Sequence, residues 1–151
     1  MEPYIFKAEQ TINASLKETF DFFSKAENLE KLTPPILRFE ILTQLPIQIV
    51  QGTIIDYKIK LRGVPIKWKT VIEVWEPQVK FVDNQLKGPF KLWHHTHEFK
   101  SLGENKTLMK DTVRYLLPFG ILGQLVHPLL VKPDVEKIFA YRNTVIEETF
   151  H

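Results

Sequence analysis

Residues 81–99 read FVDNQLKGPFKLWHHTHEF, and the way this stretch doubles back on itself decides the architecture. Lys87-Gly88-Pro89 is a turn signal, so two strands are predicted, near 79–87 and 90–100. Alternation in the second strand puts Trp93, His95, His97 and Phe99 on one face, with Leu92, His94, Thr96 and Glu98 on the other. A further turn at Gly103 leads into a strand near 106–117. There Met109, Asp111, Val113 and Tyr115 share a face, and Lys110, Thr112 and Arg114 face water. Folding at Gly103 sets His97 opposite Asp111 and His95 opposite Val113. The earlier turn sets Asp83 and Gln85 near His95 and Trp93. A slip of one residue would reverse every one of these faces.

The same period of two extends toward the N-terminus. Thr53, Ile55, Tyr57, Ile59 and Leu61 alternate with Asp56, Lys58 and Lys60. After Arg62-Gly63, Ile66, Trp68, Thr70, Ile72 and Val74 alternate with Lys67, Lys69 and Glu73. Ile36–Thr43 reads as another strand, and 3–13 as the first. Between them, Ser15 and Glu18 have capping-box spacing for a helix that turns Leu16, Phe20 and Phe23 inward. A second short helix over 26–32 should stop at Pro34-Pro35. Past Pro118-Phe119-Gly120 the pattern turns helical. Pro133 suits the first turn of a long last helix, on which Val135, Ile138, Arg142, Val145 and Thr149 form a stripe. Sequential short connections make an antiparallel sheet of about seven strands with one wet face, covered by that helix: a two-layer α+β fold.

At 151 residues one domain, 1–151, is expected. The chain is 44% hydrophobic and 12% aromatic, enough for a substantial core, and has no Cys, which excludes disulfides, thiolate metal sites and a Cys nucleophile. No apolar run approaches a membrane span and the N-terminus MEPYIFKAEQ lacks a basic-then-apolar leader, so a soluble, cytoplasmic protein is expected. The net charge of +2 gives no reason to expect nucleic acid. Lys58, Lys60, Arg62, Lys67 and Lys69 nonetheless form a basic hairpin with no acid between them. It suits either a solvated strand face or transient contact with an anionic membrane surface.

In the predicted register Asp83, Gln85, His95, His97, Asp111 and Tyr115 converge on an otherwise apolar wall. Three roles fit them: a satisfied buried network, a polar end that orients a ligand, or acid–base catalysis by His95 or His97. His95, His97 and Asp111 also have the donors of a three-ligand metal site, but the spacing is generic for any strand, so no metal and no cofactor are expected. Arg142 cannot shed its charge. It requires an inward carboxylate such as Asp111 or Asp83, a ligand, or a route for its head to water. Tyr141 beside it is a hydrogen-bonding group or ordinary packing. Phe20, Phe23, Tyr57, Trp68, Phe81, Trp93, Phe99 and Phe139 line or fill the interior. No GxGxxG, P-loop, GxSxG or HExxH is present.

The order of elements, with AENLEKLTPP (26–35), FVDNQLKGPFKLWHHTHEF (81–99) and IFAYR (138–142), resembles the START-like, pollen-allergen-like helix-grip superfamily, SRPBCC, and within it the polyketide cyclase/dehydrase and lipid transport subgroup. The resemblance implies a strongly bent sheet wrapped around the last helix, enclosing an apolar cavity. The function it implies is binding or transport of a small hydrophobic ligand: a lipid, an isoprenoid quinone or a polyketide-like aromatic. The ligand would contact Tyr57, Trp68, Asp83, Gln85, Trp93, His95, His97, Asp111, Tyr115, Tyr141 and Arg142. Access would lie between the last helix and the loops 62–65 and 118–123, where Gly63, Gly120 and Gly123 permit bending. A cyclase/dehydratase with His95 or His97 as base and Arg142 or Tyr141 stabilising an enolate is the alternative. A protein-docking domain with a filled interior is a third reading.

Overall fold

A computed structural model describes residues 2–151. Seven strands form one antiparallel sheet in the order β1-β7-β6-β5-β4-β3-β2. They are β1 (Tyr4–Ile12), β2 (Glu40–Ile41), β3 (Ile54–Leu61), β4 (Val64–Glu76), β5 (Lys80–Lys87), β6 (Leu92–Gly103) and β7 (Lys106–Leu116). Two short helices, α1 (Leu16–Phe23) and α2 (Asn28–Leu32), follow β1. At the C-terminal end α3 (Ile121–Val126) passes through a π-helical turn (His127–Val131) into the long α4 (Lys132–Thr149). This is the curled sheet and covering helix expected from the alternation.

Local chemistry accounts for the boundaries. Ser15 Oγ accepts from the Glu18 amide at 3.1 Å, capping α1. Arg62 and Gly63 both have positive φ, 49° and 81°, the pattern of the tight turn whose twist suits a β-hairpin, and Leu61 pairs with Val64 across it. The β6–β7 register is as drawn from sequence: His97 faces Asp111, His95 faces Val113, and in β5 Asp83 faces His95.

Three expectations are corrected. Ile36–Thr43 is not a strand; Pro35–Leu37 forms a 3-10 turn and only Glu40–Ile41 pairs with β3. The regular alternation of β4 breaks at Glu73, an extra residue relative to β5, because Ile72 pairs with Asp83 and Val74 with Val82. Parity therefore flips, and Trp75 rather than Val74 packs on the core. On α4 the buried residues are Val135, Phe139, Arg142 and Ile146; Thr149 is exposed. Ile138 lines the cavity and Val145 packs against the core as half-buried residues, but the fully buried positions beside them are Phe139 and Ile146.

The packed core lies at one end of the concave face, where Phe20, Phe23, Phe81, Phe99, Met109 and Ile146 meet. Phe20 makes edge contacts with Phe81 and Phe99 at centroid distances of 6.2 and 5.1 Å, an arrangement that adds to simple area burial. No helix among the described residues is long and apolar enough to cross a membrane.

Candidate functional site

The other end of the concave face is hollow. A cavity of about 400 Å³ lies between β3–β6, α2 and α4, walled mainly by Phe39, Ile55, Tyr57, Trp68, Trp93 and Phe139. Its polar corner is built by four elements. β5 supplies Asp83, β6 His95 and His97, β7 Asp111, and α4 Arg142; the last four are buried and Asp83 is half-buried.

Hydrogen bonding in this corner runs diagonally to the ladder. Asp83 stands opposite His95 in register, yet its Oδ2 lies 2.6 Å from His97 Nε2. Asp111 stands opposite His97, yet its Oδ1 lies 2.7 Å from His95 Nε2 and 3.2 Å from His97 Nδ1. The two imidazoles stack with centroids 3.6 Å apart, and Phe81 stacks on the far side of His97 at 4.0 Å. Arg142 Nη2 reaches Asp111 Oδ1 at 3.4 Å. Its guanidinium carbon lies 5.3 Å from the Phe23 ring centroid and 5.5 Å from that of Phe139, within cation–π reach.

These contacts assign the protons. Burial, with His97 beside it, pushes His95 down to about 4, so it is a neutral imidazole at pH 7. Its Nε2–H donates to Asp111. Nδ1 is then a lone pair that makes no hydrogen bond, the nearest carboxylate oxygen being Asp83 Oδ2 at 3.9 Å. Burial also opposes charge on His97, but its bonds to Asp111 and Asp83 outweigh that and raise it. His97 Nε2 faces Asp83, while its Nδ1 lies 3.2 Å from Asp111 Oδ1 and 3.4 Å from Arg142 Nη2, which is a donor. Burial works against ionising Asp111 as well; Arg142 and the two histidines prevail and hold it well below the usual carboxylate range. Asp83 is lowered for the same kind of reason, with His97 its main partner. The two carboxylates thus share the Arg142 guanidinium and a His97 ring whose proton affinity they raise.

The donor atoms of Asp83, His95 and His97 lie within 4.8 Å of one another, close enough to consider a metal. The donor set argues otherwise. His97 Nε2 is committed to Asp83, its Nδ1 has the Arg142 guanidinium at 3.4 Å, and that fixed cation already occupies the electrostatic place of a dication beside Asp111.

Of the residues anticipated from sequence, Tyr57, Trp68, Asp83, Trp93, His95, His97 and Arg142 line the cavity. Asp111 sits behind them and holds His95, His97 and Arg142. Gln85 does not face the cavity: its amide brackets the Phe90 backbone, donating to O at 2.6 Å and accepting from N at 3.2 Å, and so braces the β5–β6 turn. Tyr115 also leaves the cluster, its hydroxyl bonded to His127 Nε2 at 2.6 Å while Tyr4 stacks on that imidazole at 3.5 Å. Tyr141 is half-buried and not part of the wall. Sequence reasoning overlooked Leu37, Phe39 and Ile49, which the irregular stretch after α2 folds over the cavity. No periodicity marks them. It also overlooked His127, whose signal was a lone titratable residue in an apolar run.

Several buried polar atoms have no partner. Trp68 Nε1 and Arg142 Nε belong to cavity residues and make no hydrogen bond. At the opening, Arg62 pairs with Asp134 at 3.0 Å, tying the β3–β4 turn to the start of α4. Lys58 pairs with Glu40 at 3.2 Å and Lys69 with Asp56 at 3.7 Å, so the basic hairpin is partly neutralised. Gly123 does not serve bending: a Cβ there would lie 2.5 Å from Pro118 O, so glycine is what lets α3 sit on the preceding turn.

The family described as polyketide cyclase / dehydrase and lipid transport matches residues 12–133. No curated protein sequence matches. Solved structures share the fold. A START superfamily protein from Mycobacterium smegmatis aligns with a TM-score of 0.72 and 14% identity, over 96% of this chain and 98% of that one. The Zhui aromatase/cyclase from Streptomyces sp. R1128 gives 0.73 and 15%, over 95% and 91%. A point mutant of norcoclaurine synthase from Thalictrum flavum, in complex with a transition-state analogue, gives 0.65 and 17%, over 95% and 94%.

Proposed function

Because the chain belongs to the polyketide cyclase/dehydrase and lipid transport family, we propose that it binds one small hydrophobic molecule between the curved sheet and α4. The observation that carries this reading is the cavity of about 400 Å³ with an aromatic wall and a single polar corner. Small-molecule sites span roughly 300–1,000 Å³, so this one suits a compact ring system or a short acyl chain better than a fully enclosed isoprenoid tail. Burial of the ligand's apolar body drives binding, at about 25 cal/mol per Å² before the costs of association. A carbonyl or hydroxyl oxygen at one end accepts from the unpartnered donors of Arg142 and Trp68, and a hydroxyl also donates to the free lone pair of His95 Nδ1. Those interactions set orientation rather than bulk affinity.

Native mass spectrometry of protein purified without detergent, followed by solvent extraction, tests the proposal. A single co-purifying apolar molecule is the expected result. An empty cavity in repeated preparations, together with no uptake of any lipid, quinone or aromatic ketone, would overturn it.

One observation favours a second reading, a cyclase/dehydratase-type enzyme. His95 is neutral, anchored through Nε2, and has an unbonded Nδ1. That is the state of a general base. His97 is the poorer candidate, since its Nε2 is taken by Asp83 at 2.6 Å and its Nδ1 is crowded between Asp111 Oδ1 and Arg142 Nη2. Arg142 would stabilise the developing enolate. Under this reading His95→Ala abolishes turnover while ligand binding survives. The docking-domain reading with a filled interior has no support from a chain with this cavity.

A further inference from the structure

From Leu116 to Val131 the sequence LLPFGILGQLVHPLLV carries no charge. Its apolar side chains are mostly turned outward: Phe119 is 82% exposed, Ile121 74% and Leu129 74%, with Leu122 and Leu125 also exposed. The segment is nonetheless held in place. Gly123 is buried against the Pro118 carbonyl, and His127 is gripped by Tyr115 and Tyr4. A surface that is fixed and apolar at once has a use.

Its surroundings say which one. No acidic residue occurs between Arg114 and Pro133; Asp134, the next one, is paired with Arg62, and Glu136, whose charge reaches Tyr115, is flanked on α4 by Lys132 and Lys137. Cations border the segment on each side: Arg114 and Lys132 in sequence, and Lys91, whose amide bonds the Leu116 carbonyl. Leu117 and Val131, the inward-facing ends of the segment, are part of the cavity wall. We propose that residues 119–130 form a docking element that seats the protein on an anionic lipid bilayer, with the cavity opening toward the headgroups. Phe119, Ile121, Leu122, Leu125 and Leu129 enter the interface while the flanking cations meet lipid phosphates. A second copy of the chain is a poorer occupant, since pairing two such patches brings like-charged rims together. The inference does not depend on which molecule the cavity takes.

Flotation with vesicles tests it, using phosphatidylcholine alone or with about a quarter phosphatidylserine. The protein is expected to float with the phosphatidylserine vesicles, and less so as salt rises. Leu122→Gln and Leu125→Gln should each lower partitioning by about tenfold, the effect of one leucine withdrawn from an apolar environment. Lys132→Gln should lower it by about fivefold. Leu102→Gln, at the far end of β6, should change nothing. Circular dichroism would establish that the variants fold. Absence of flotation, or flotation indifferent to the two leucine replacements, would overturn the proposal. So would a dimer in sedimentation that those replacements dissociate, which would make the patch a self-association surface.

Discussion

Asp111 Oδ1 and His95 Nε2 meet at 2.7 Å, and the same oxygen is the counter-charge that Arg142 finds at 3.4 Å. One atom therefore couples β6, β7 and α4. Asp111→Ala leaves a buried guanidinium and two buried imidazoles with one carboxylate among them. Removal of one partner from a buried ionic group costs about 3–5 kcal/mol. Urea unfolding should show a loss of that size. Asp111→Asn should recover part of it by keeping a hydrogen-bond acceptor for His95.

The two histidines give opposite dependences on pH. His95 has an ordinary value of 6.5 and about 4 in the fold, so the unfolded chain takes up its proton first. Stability therefore falls as pH drops from about 6.5 toward about 4, and His127, also lowered by burial, acts in the same direction. His97 is raised; its contribution is complete below 6.5 and is lost as pH rises through its folded value. The lowered carboxylates Asp83 and Asp111 contribute above 3.8 and are lost below it, outside this window. Urea midpoints measured across pH 4–9 should peak near neutrality, and His95→Gln should flatten the acid side.

Trp68 Nε1 is buried with no partner, which makes the indole an unusual place for a mild substitution. Trp68→Phe loses some packing but also removes an unsatisfied donor worth about 1–3 kcal/mol. Stability should change by less than about 1 kcal/mol. Affinity for the co-purified ligand, read by titration calorimetry, should fall about tenfold if the ligand's oxygen is held there.

Gly123→Ala places a methyl 2.5 Å from a backbone carbonyl, which cannot yield as a side-chain tip would. The expected cost is about 1–3 kcal/mol, read as a fall in Tm of roughly 2–4 °C for each kcal/mol in a chain of this size. Gln124→Ala, an exposed neighbour on the same helix, is the control.

Strand alternation made much of this legible. His95, His97, Asp111 and Asp83 were placed on one face, and in the right register, because period two and the turns at 87–89 and 103 leave few alternatives. What sequence could not supply were the places where a local exception wins. Nothing at Glu73 announces a bulge, so Val74 and Trp75 exchanged faces. Gln85 has the parity of a cavity residue, yet the nearby Phe90 backbone offers its amide two bonds at once. Tyr115 shares parity with Asp111 but stands far enough along β7 to meet His127 from another element. Phe39 and Ile49 arrive by an irregular path. The diagonal bonding of the carboxylates likewise depends on side-chain reach, which register alone does not determine.

The extra residue at Glu73 has a consequence for how this protein can change. On one side of it β4 turns Trp68, Thr70 and Ile72 toward open space; on the other it turns Trp75 into close-packed aromatics. A single strand thus serves two compartments, one hollow and one solid. Cargo preference can drift through the first while the second keeps the chain folded, so this strand carries its own division between what may vary and what must not.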